Sequence, residues 1–342
     1  MNKLAESSRR LCALLIGAVF LLSGFLKLMD PVGTGLIVTE YFKFFHLSGL
    51  SALSKAFGTV LALLESFTGA VLVAGVWRRH AAITAMVLLG VFTIITAILW
   101  IADPKMDCGC FGEAVHLSHK ASFLKNIVLD VLAIAAFIPL EDGFGPRPGK
   151  YTGFAITAVL LSAFCVYSLR NIPLIDFTAY APGAEIMEGS DTRLDICDAS
   201  GEYMDYSVYD GDVLAVTVYD PERISRKEWG NISSTLESAA GAGLMPLLVT
   251  SSAENVPFNL SEYLFTSDRK DLLTINRSNG GAIWISEGAV TAKWSLRCTP
   301  DAGHMCKMME DGPDETLTSR TSVERTAAQA LLLGCFALLT LL

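Results

Sequence analysis

The stretch AAITAMVLLGVFTIITAILWI, Ala81–Ile101, carries no charged side chain across 21 positions. As a helix rising 1.5 Å per residue it spans about 30 Å, the thickness of a bilayer's hydrocarbon core. Working outward, comparable apolar runs occupy Leu11–Leu28, Phe57–Val76 and Ala121–Leu140, and a shorter one occupies Phe154–Leu169. Ala327–Leu342 leaves a sixth span open. The expected fold is therefore membrane α-helical, a four-helix bundle plus a fifth span. From Asn171 to Glu324 the polarity is mixed, as in a water-exposed domain, so the 52% hydrophobic and 18% charged averages conceal two solvents. A net charge of -9 without a stripe of Lys and Arg excludes a phosphate-neutralising nucleic-acid binder.

Lys3, Arg9 and Arg10 ahead of the first run resemble the start of a signal peptide, but no small-x-small cleavage site follows, and Lys27 with Asp30-Pro31 closes the helix. If the helices alternate, Lys3, Arg9, Arg10, Arg78, Arg79, Arg147 and Lys150 share one side, which the positive-inside rule makes cytoplasmic. The other loops hold Lys43, Lys55, Lys105 and Lys120. The expectation is a multi-pass protein of the inner membrane, with the loop at Cys108 and everything after Asn171 outside.

After a connector over Pro173–Glu188 the apolar period changes. Asp212–Tyr219 predicts a buried strand, Ser225–Ala240 an amphipathic helix and Met245–Thr250 a second strand, an order that implies parallel pairing by a right-handed crossover. Ala282–Ile285 and Val290–Trp294 flank Glu287-Gly288, a hairpin signal. The sum is an α/β thioredoxin-like domain. In such a domain a Cys-x-x-Cys would follow the first central strand, yet Tyr219-Asp220-Pro221-Glu222-Arg223-Ile224-Ser225 has no cysteine. Its expected role is binding or docking.

The sharpest chemical feature is Asp107-Cys108-Gly109-Cys110-Phe111-Gly112, in the outward loop. Two thiols one residue apart can bond, Gly109 gives the backbone the freedom this needs, and a small accessible disulfide is poised for exchange. The alternatives are a static bridge, two unpaired thiols, or a zinc site with His116 and His119, although the spacing matches no usual zinc pattern. Ionisable groups inside a bilayer are costly, which singles out Glu65 and Asp130. Both are expected about 10 to 12 Å below the outer face, in the half of the membrane that also holds Lys27. The three are candidates for proton uptake or a quinone headgroup, or for fixing helix packing by hydrogen bonds. Cys298 and Cys306 are candidates for a structural disulfide, with a soft-metal site at His304, Met305, Met308 and Met309 as the weaker alternative. Cys12, Cys165, Cys197 and Cys335 are read as bystanders.

Gly17-x-x-Phe20-x-x-Ser23-Gly24-x-x-Lys27-x-x-Asp30-Pro31-x-Gly33 resembles the first-helix signature of DoxX and MauE membrane proteins, and Cys108-Gly109-Cys110-Phe111-Gly112 is similar to the MauE loop at the same place. Asn171-Ile-Pro-Leu-Ile-Asp176-Phe177, Arg277-Ser278-Asn279-Gly280-Gly281 and Lys293-Trp294 look like longer DoxX-like proteins with a thioredoxin-like extension. Those relatives usually have proline where this chain has Gly280, so the cis-proline that shapes a thioredoxin substrate groove is missing. The resemblance implies a four-helix bundle, an association with periplasmic thiol and disulfide traffic, and architectural kinship with quinone-linked disulfide oxidases; MauE itself is tied to maturing a disulfide-rich methylamine dehydrogenase subunit. The domains expected are 1–142, a four-helix membrane domain; 143–188, the fifth span and connector; 189–300, a periplasmic thioredoxin-like domain; and 301–342, a tail with the sixth apolar run. The expected function is thiol–disulfide exchange through Cys108 and Cys110 between a periplasmic thiol or disulfide protein and the membrane, with a quinone as candidate second terminus. The alternative is a non-enzymatic scaffold that docks an envelope partner; solute transport through the bundle ranks last.

Overall fold

The computed structural model describes residues 3–139, 148–186, 192, 194–198, 201–204 and 211–341. Arg147 and the domain boundaries drawn at 142/143 and 188/189 lie outside the described residues. The chain divides into two compact units, Met1–Arg170 with Ala330–Leu342, and Asn171–Gln329.

The first unit is helical: α1 (Lys3–Met29), α2 (Pro31–Phe44), α3 (Ser54–Ala74), α4 (Arg78–Ala102), a loop holding the short strand β1 (Cys110–Glu113), then α5 (His119–Phe137) and α6 (Pro148–Arg170). Asp30-Pro31 does more than close α1. The Asp30 carboxylate accepts the Gly33 N–H at 2.8 Å and Pro31 takes the first helical position, so the pair caps a new helix, α2.

Among the described residues, four helices are long and apolar enough to cross a membrane: Glu6–Met29, Ser48–Ala74, Arg78–Ala102 and Gly149–Arg170. The expected span at Ala121–Leu140 corresponds to α5, which is not one of the four, and its Lys120, Lys125 and Asp130 break the apolar run. It nevertheless lies antiparallel to α1 along most of its length. Arg9 near the start of α1 donates to the Ala136 carbonyl near the end of α5 at 3.1 Å, while Ser122 in the first turn of α5 touches the cysteine loop that packs over Lys27. Where α1 and α3 meet, a Cβ on Gly69 would lie 2.4 Å from the Leu21 backbone nitrogen, so only glycine admits this approach. The unit is inverted relative to a water-soluble bundle. Ser23, Thr34, Ser66, Thr68, Ser122 and Asn126 are buried, whereas Ile94, Ile101, Val131 and Val159 face outward. That distribution suits lipid as the surrounding solvent.

The second unit is a five-stranded mixed sheet. Its elements are β2 (Asp212–Val218), α7 (Arg226–Gly241), β3 (Met245–Thr250), β4 (Leu264–Thr266), α8 (Arg269–Ile275), β5 (Gly281–Ser286), β6 (Ala289–Trp294), α9 (Ala302–Asp311) and the part of α10 (Pro313–Leu341) up to Gln329. The strand order is β4-β3-β2-β5-β6; β2, β3 and β4 are parallel, and the β5–β6 hairpin is antiparallel. Alternate side chains of β2 serve two cores, as a strand covered on both faces requires. Leu214 and Val216 pack with Trp229 and Leu236 of α7, while Val213 and Ala215 pack with Leu272 and Ile275 of α8. A capping box between Ser225 and Glu228 starts α7, and Glu287-Gly288, both at positive φ, close the hairpin. The expected sixth span is the end of α10, helical to Leu341; most of its side chains, including that of Cys335, lie outside the described residues.

Candidate functional site

The cysteine loop leaves α4 at Asp103 and is fastened from three helices. Tyr41 of α2 donates its hydroxyl to the Cys108 carbonyl at 2.7 Å. Ser23 of α1 lies 2.7 Å from the Cys110 carbonyl and 2.6 Å from Glu65 Oε2, so one hydroxyl hydrogen is shared between two acceptors. Ser122 of α5 lies 2.8 Å from Cys108 Sγ. Gly109 sits at φ 61°, and a Cβ there would come within 2.5 Å of Ile37 Cγ2, so the turn demands glycine twice over. Gly112 closes it by donating its N–H to the Gly109 carbonyl at 3.2 Å.

Beneath the loop, Lys27 Nζ donates to both oxygens of Glu65, at 2.6 and 2.7 Å, and to Ser23 Oγ at 3.2 Å. The side chains of Lys27 and Glu65 are 8% and 1% exposed, which makes this a desolvated ion pair whose separation would leave a bare charge. Asp130 joins a different group. Its Oδ2 accepts from Thr93 of α4 at 2.7 Å, and Asn126, one turn earlier on α5, donates to Thr96 at 3.1 Å. The Asn126 Oδ1 is buried and lacks a partner among the described residues. As arranged, these groups fit a loop anchor and a helix contact.

The two thiols differ in setting. Cys108 is 5% exposed, with Leu117 O at 3.6 Å as well as Ser122, whereas Cys110 is half-buried. The neighbouring Cys108 thiol, followed by the ammonium groups of Lys125 and Lys27, outweighs burial and pulls Cys110 down to about 5. The proximity of Cys110, reinforced by burial, pushes the Cys108 thiol up. Lys125 lies 4.9 Å from the centroid of the Phe111 ring. The sequence flagged neither Ser122 nor Lys125, although their three-residue spacing puts them on one face of α5.

Residues 4–139 match the family model of methylamine utilisation protein MauE. The MauE match ends at the close of α5, so it contains the loop, Lys27, Glu65 and Asp130, while α6 and the α/β unit lie beyond it. No curated protein and no solved structure matches the chain.

The other candidate groups do not converge on the loop cysteines. His116 pairs with Asp107 at 3.2 Å, and His119 sits between Asp103 at 3.2 Å and the Met106 carbonyl at 2.9 Å. Among the described residues no three of His, Cys, Asp and Glu gather as a metal site. In the tail, Asp301 caps α9 and holds His304, Met305 is fully buried in the core, and Met308 and Met309 pack against it. Cys298 and Cys306 stand as two exposed thiols without the expected bond between them. Cys306 follows the inward-facing Met305, so the helix turns it outward. After β2, where the expected Cys-x-x-Cys is lacking, the Asn279 amide clamps the Asp220 backbone, accepting its N–H at 3.0 Å and donating to its carbonyl at 2.8 Å.

Proposed function

We propose that the protein is a membrane thiol–disulfide exchanger whose working pair is Cys108 and Cys110, facing the periplasmic side of the inner membrane. The observation that carries this reading is a Cys-x-Cys pair on a loop fastened to α1, α2 and α5, with Cys108 enclosed and Cys110 half-buried beside it. A thiolate held against a neighbouring thiol is the reactive form in disulfide exchange, and the loop's anchors keep both sulfurs where a bond between them can form. Lys27 and Glu65 serve in this reading as the buried support of the loop. Asp130 holds α5 to α4. The α/β unit, read as thioredoxin-like, carries no thiol at its active-site position and docks the partner, an envelope protein that brings the disulfide or dithiol. The MauE description supplies methylamine utilisation as the setting.

Differential alkylation in intact membranes tests the reading. Reduced protein should be labelled at Cys108 and Cys110, and mild oxidation should remove both labels together through one bond between them. Labels that persist on both sulfurs through every oxidant would sink it. In the scaffold alternative, replacing both cysteines by Ser leaves partner capture and phenotype intact; in the exchange reading it abolishes the phenotype.

A further inference from the structure

Resting on that exchange reading, we propose that Cys110 is the thiolate that attacks the partner's disulfide and Cys108 is the thiol that resolves the mixed disulfide, with Lys125 and Ser122 of α5 as the positioning residues that divide the roles. Attack on a protein disulfide requires an external sulfur to reach the nucleophile in line. Cys108 is 5% exposed, its sulfur closed in by Ser122 Oγ at 2.8 Å and Leu117 O at 3.6 Å. No chain carrying a disulfide fits there. Cys110 is more open, and the ammonium group of Lys125 acts on its thiol as the opposite charge that favours the thiolate. One face of α5 therefore offers a hydroxyl to the enclosed sulfur and a cation to the open one.

The step balances with a partner disulfide R–S–S–R′ as the oxidant. The Cys110 thiolate attacks the sulfur of R, forming Cys110–S–S–R and breaking the R–R′ bond, and R′ leaves as a thiolate. Cys108 gives its proton to that thiolate. The new Cys108 thiolate attacks Cys110 Sγ, forming the Cys108–Cys110 bond and releasing R as a thiolate. Two electrons pass from the cysteine pair to the partner, which ends reduced. The reverse sequence oxidises a partner dithiol and begins with attack on Cys110, since Cys108 is the buried leaving group.

The full chain in native membranes, treated with the aromatic disulfide 5,5′-dithiobis(2-nitrobenzoic acid), reads these roles, with peptide mapping to separate the pair from the other cysteines. Wild-type protein should release two thionitrobenzoates per pair and finish as the Cys108–Cys110 disulfide. Cys108→Ser should release one and retain the adduct on Cys110. Cys110→Ser should react at Cys108 at least about tenfold more slowly. An adduct forming on Cys108 in Cys110→Ser as fast as on Cys110 in Cys108→Ser overturns the assignment. Adducts left on both sulfurs of the wild type, with no bond between them, defeat the exchange reading itself.

The order is also read without any substitution. Limiting reagent quenched early in acid should place the first label of the wild type on Cys110, and a first label on Cys108 overturns the proposal. The charged and titratable groups around Cys110 are Lys125 from α5, the Lys27–Glu65 pair from α1 and α3, and Tyr41 from α2. Lys125→Gln should slow Cys110 labelling about threefold at pH 6 and less at pH 8, because the thiolate fraction is lost only near its own pKa. Lys125→Arg should restore the rate. Equal slowing at both pH values, or no rescue by Arg, removes Lys125 from the proposal.

Discussion

Each unit buries one lysine against one carboxylate at 2.6 Å: Lys27 with Glu65 in the helical unit, and Lys293 with Asp176 in the α/β unit. The interactions are alike, and their third partners are not. Lys293 also reaches Thr178 at 3.3 Å, and these two contacts fasten the chain just after α6 onto strand β6. Lys27 and Glu65 both reach Ser23, which lies 2.7 Å from the Cys110 carbonyl. A buried ion pair contributes little net stability on its own, and its value lies in what it holds in place. One pair holds a connector; the other holds a candidate reactive loop.

Breaking either pair from one side should have the largest effect. Glu65→Leu leaves Lys27 buried and unpaired, which costs about 3–5 kcal/mol and should remove most folded protein from mild detergent extracts. Lys27→Met combined with Glu65→Leu should recover much of that stability while leaving the cysteine loop slower to exchange. If the double variant exchanged at the wild-type rate, the pair would have no role in the loop.

Asp176→Asn is the matching lesion in the other unit, with a cost of about 3 kcal/mol and no change in thiol chemistry. Burial acts to raise the Asp176 carboxyl, but Lys293 and Thr178 outweigh it and hold it below its ordinary value. Because the folded value is depressed, the stabilisation is present above the unfolded carboxyl pKa of about 4 and is lost as pH falls through the folded one. Acid unfolding followed by tryptophan fluorescence should show that loss in the wild type and a flatter slope in Asp176→Asn. An unchanged slope would remove the pair from the acid transition.

Smaller effects sharpen the contrast. Gly109→Ala forces a left-handed residue against Ile37, at about 1–2 kcal/mol, and should slow exchange. Adding Ile37→Ala should relieve the contact without relieving the backbone strain. Ser225→Ala removes the cap of α7 for about 1 kcal/mol, visible as a lower melting temperature with the Cys108 and Cys110 labelling rates unaltered.

The regular elements of the α/β unit were legible because its strands are continuous apolar runs bounded by turn residues. Met245–Thr250 occupies the expected positions, and the hairpin turns at Glu287-Gly288. The short β4 and α8 escaped, since three and seven residues are too few for a period to register. Helix α2 was missed because Gly33, Thr34 and Gly35 lower its helical propensity, and Asp30-Pro31 reads equally as an end or a beginning. For the candidate site, Lys27 and Glu65 stood out as charges in apolar runs, but that they face each other rather than Asp130 depends on helix rotation. Ser23, Tyr41, Ser122 and Lys125 are ordinary residues in ordinary places until packing brings them to the loop.

The division of the chain also has a mechanical consequence. Residues 171–329 form their own unit, while the segments before and after them group together. The α/β unit is thus an insert, covalently held at both ends. A single proteolytic nick at either junction leaves it attached by the other, so release into solution requires two cuts.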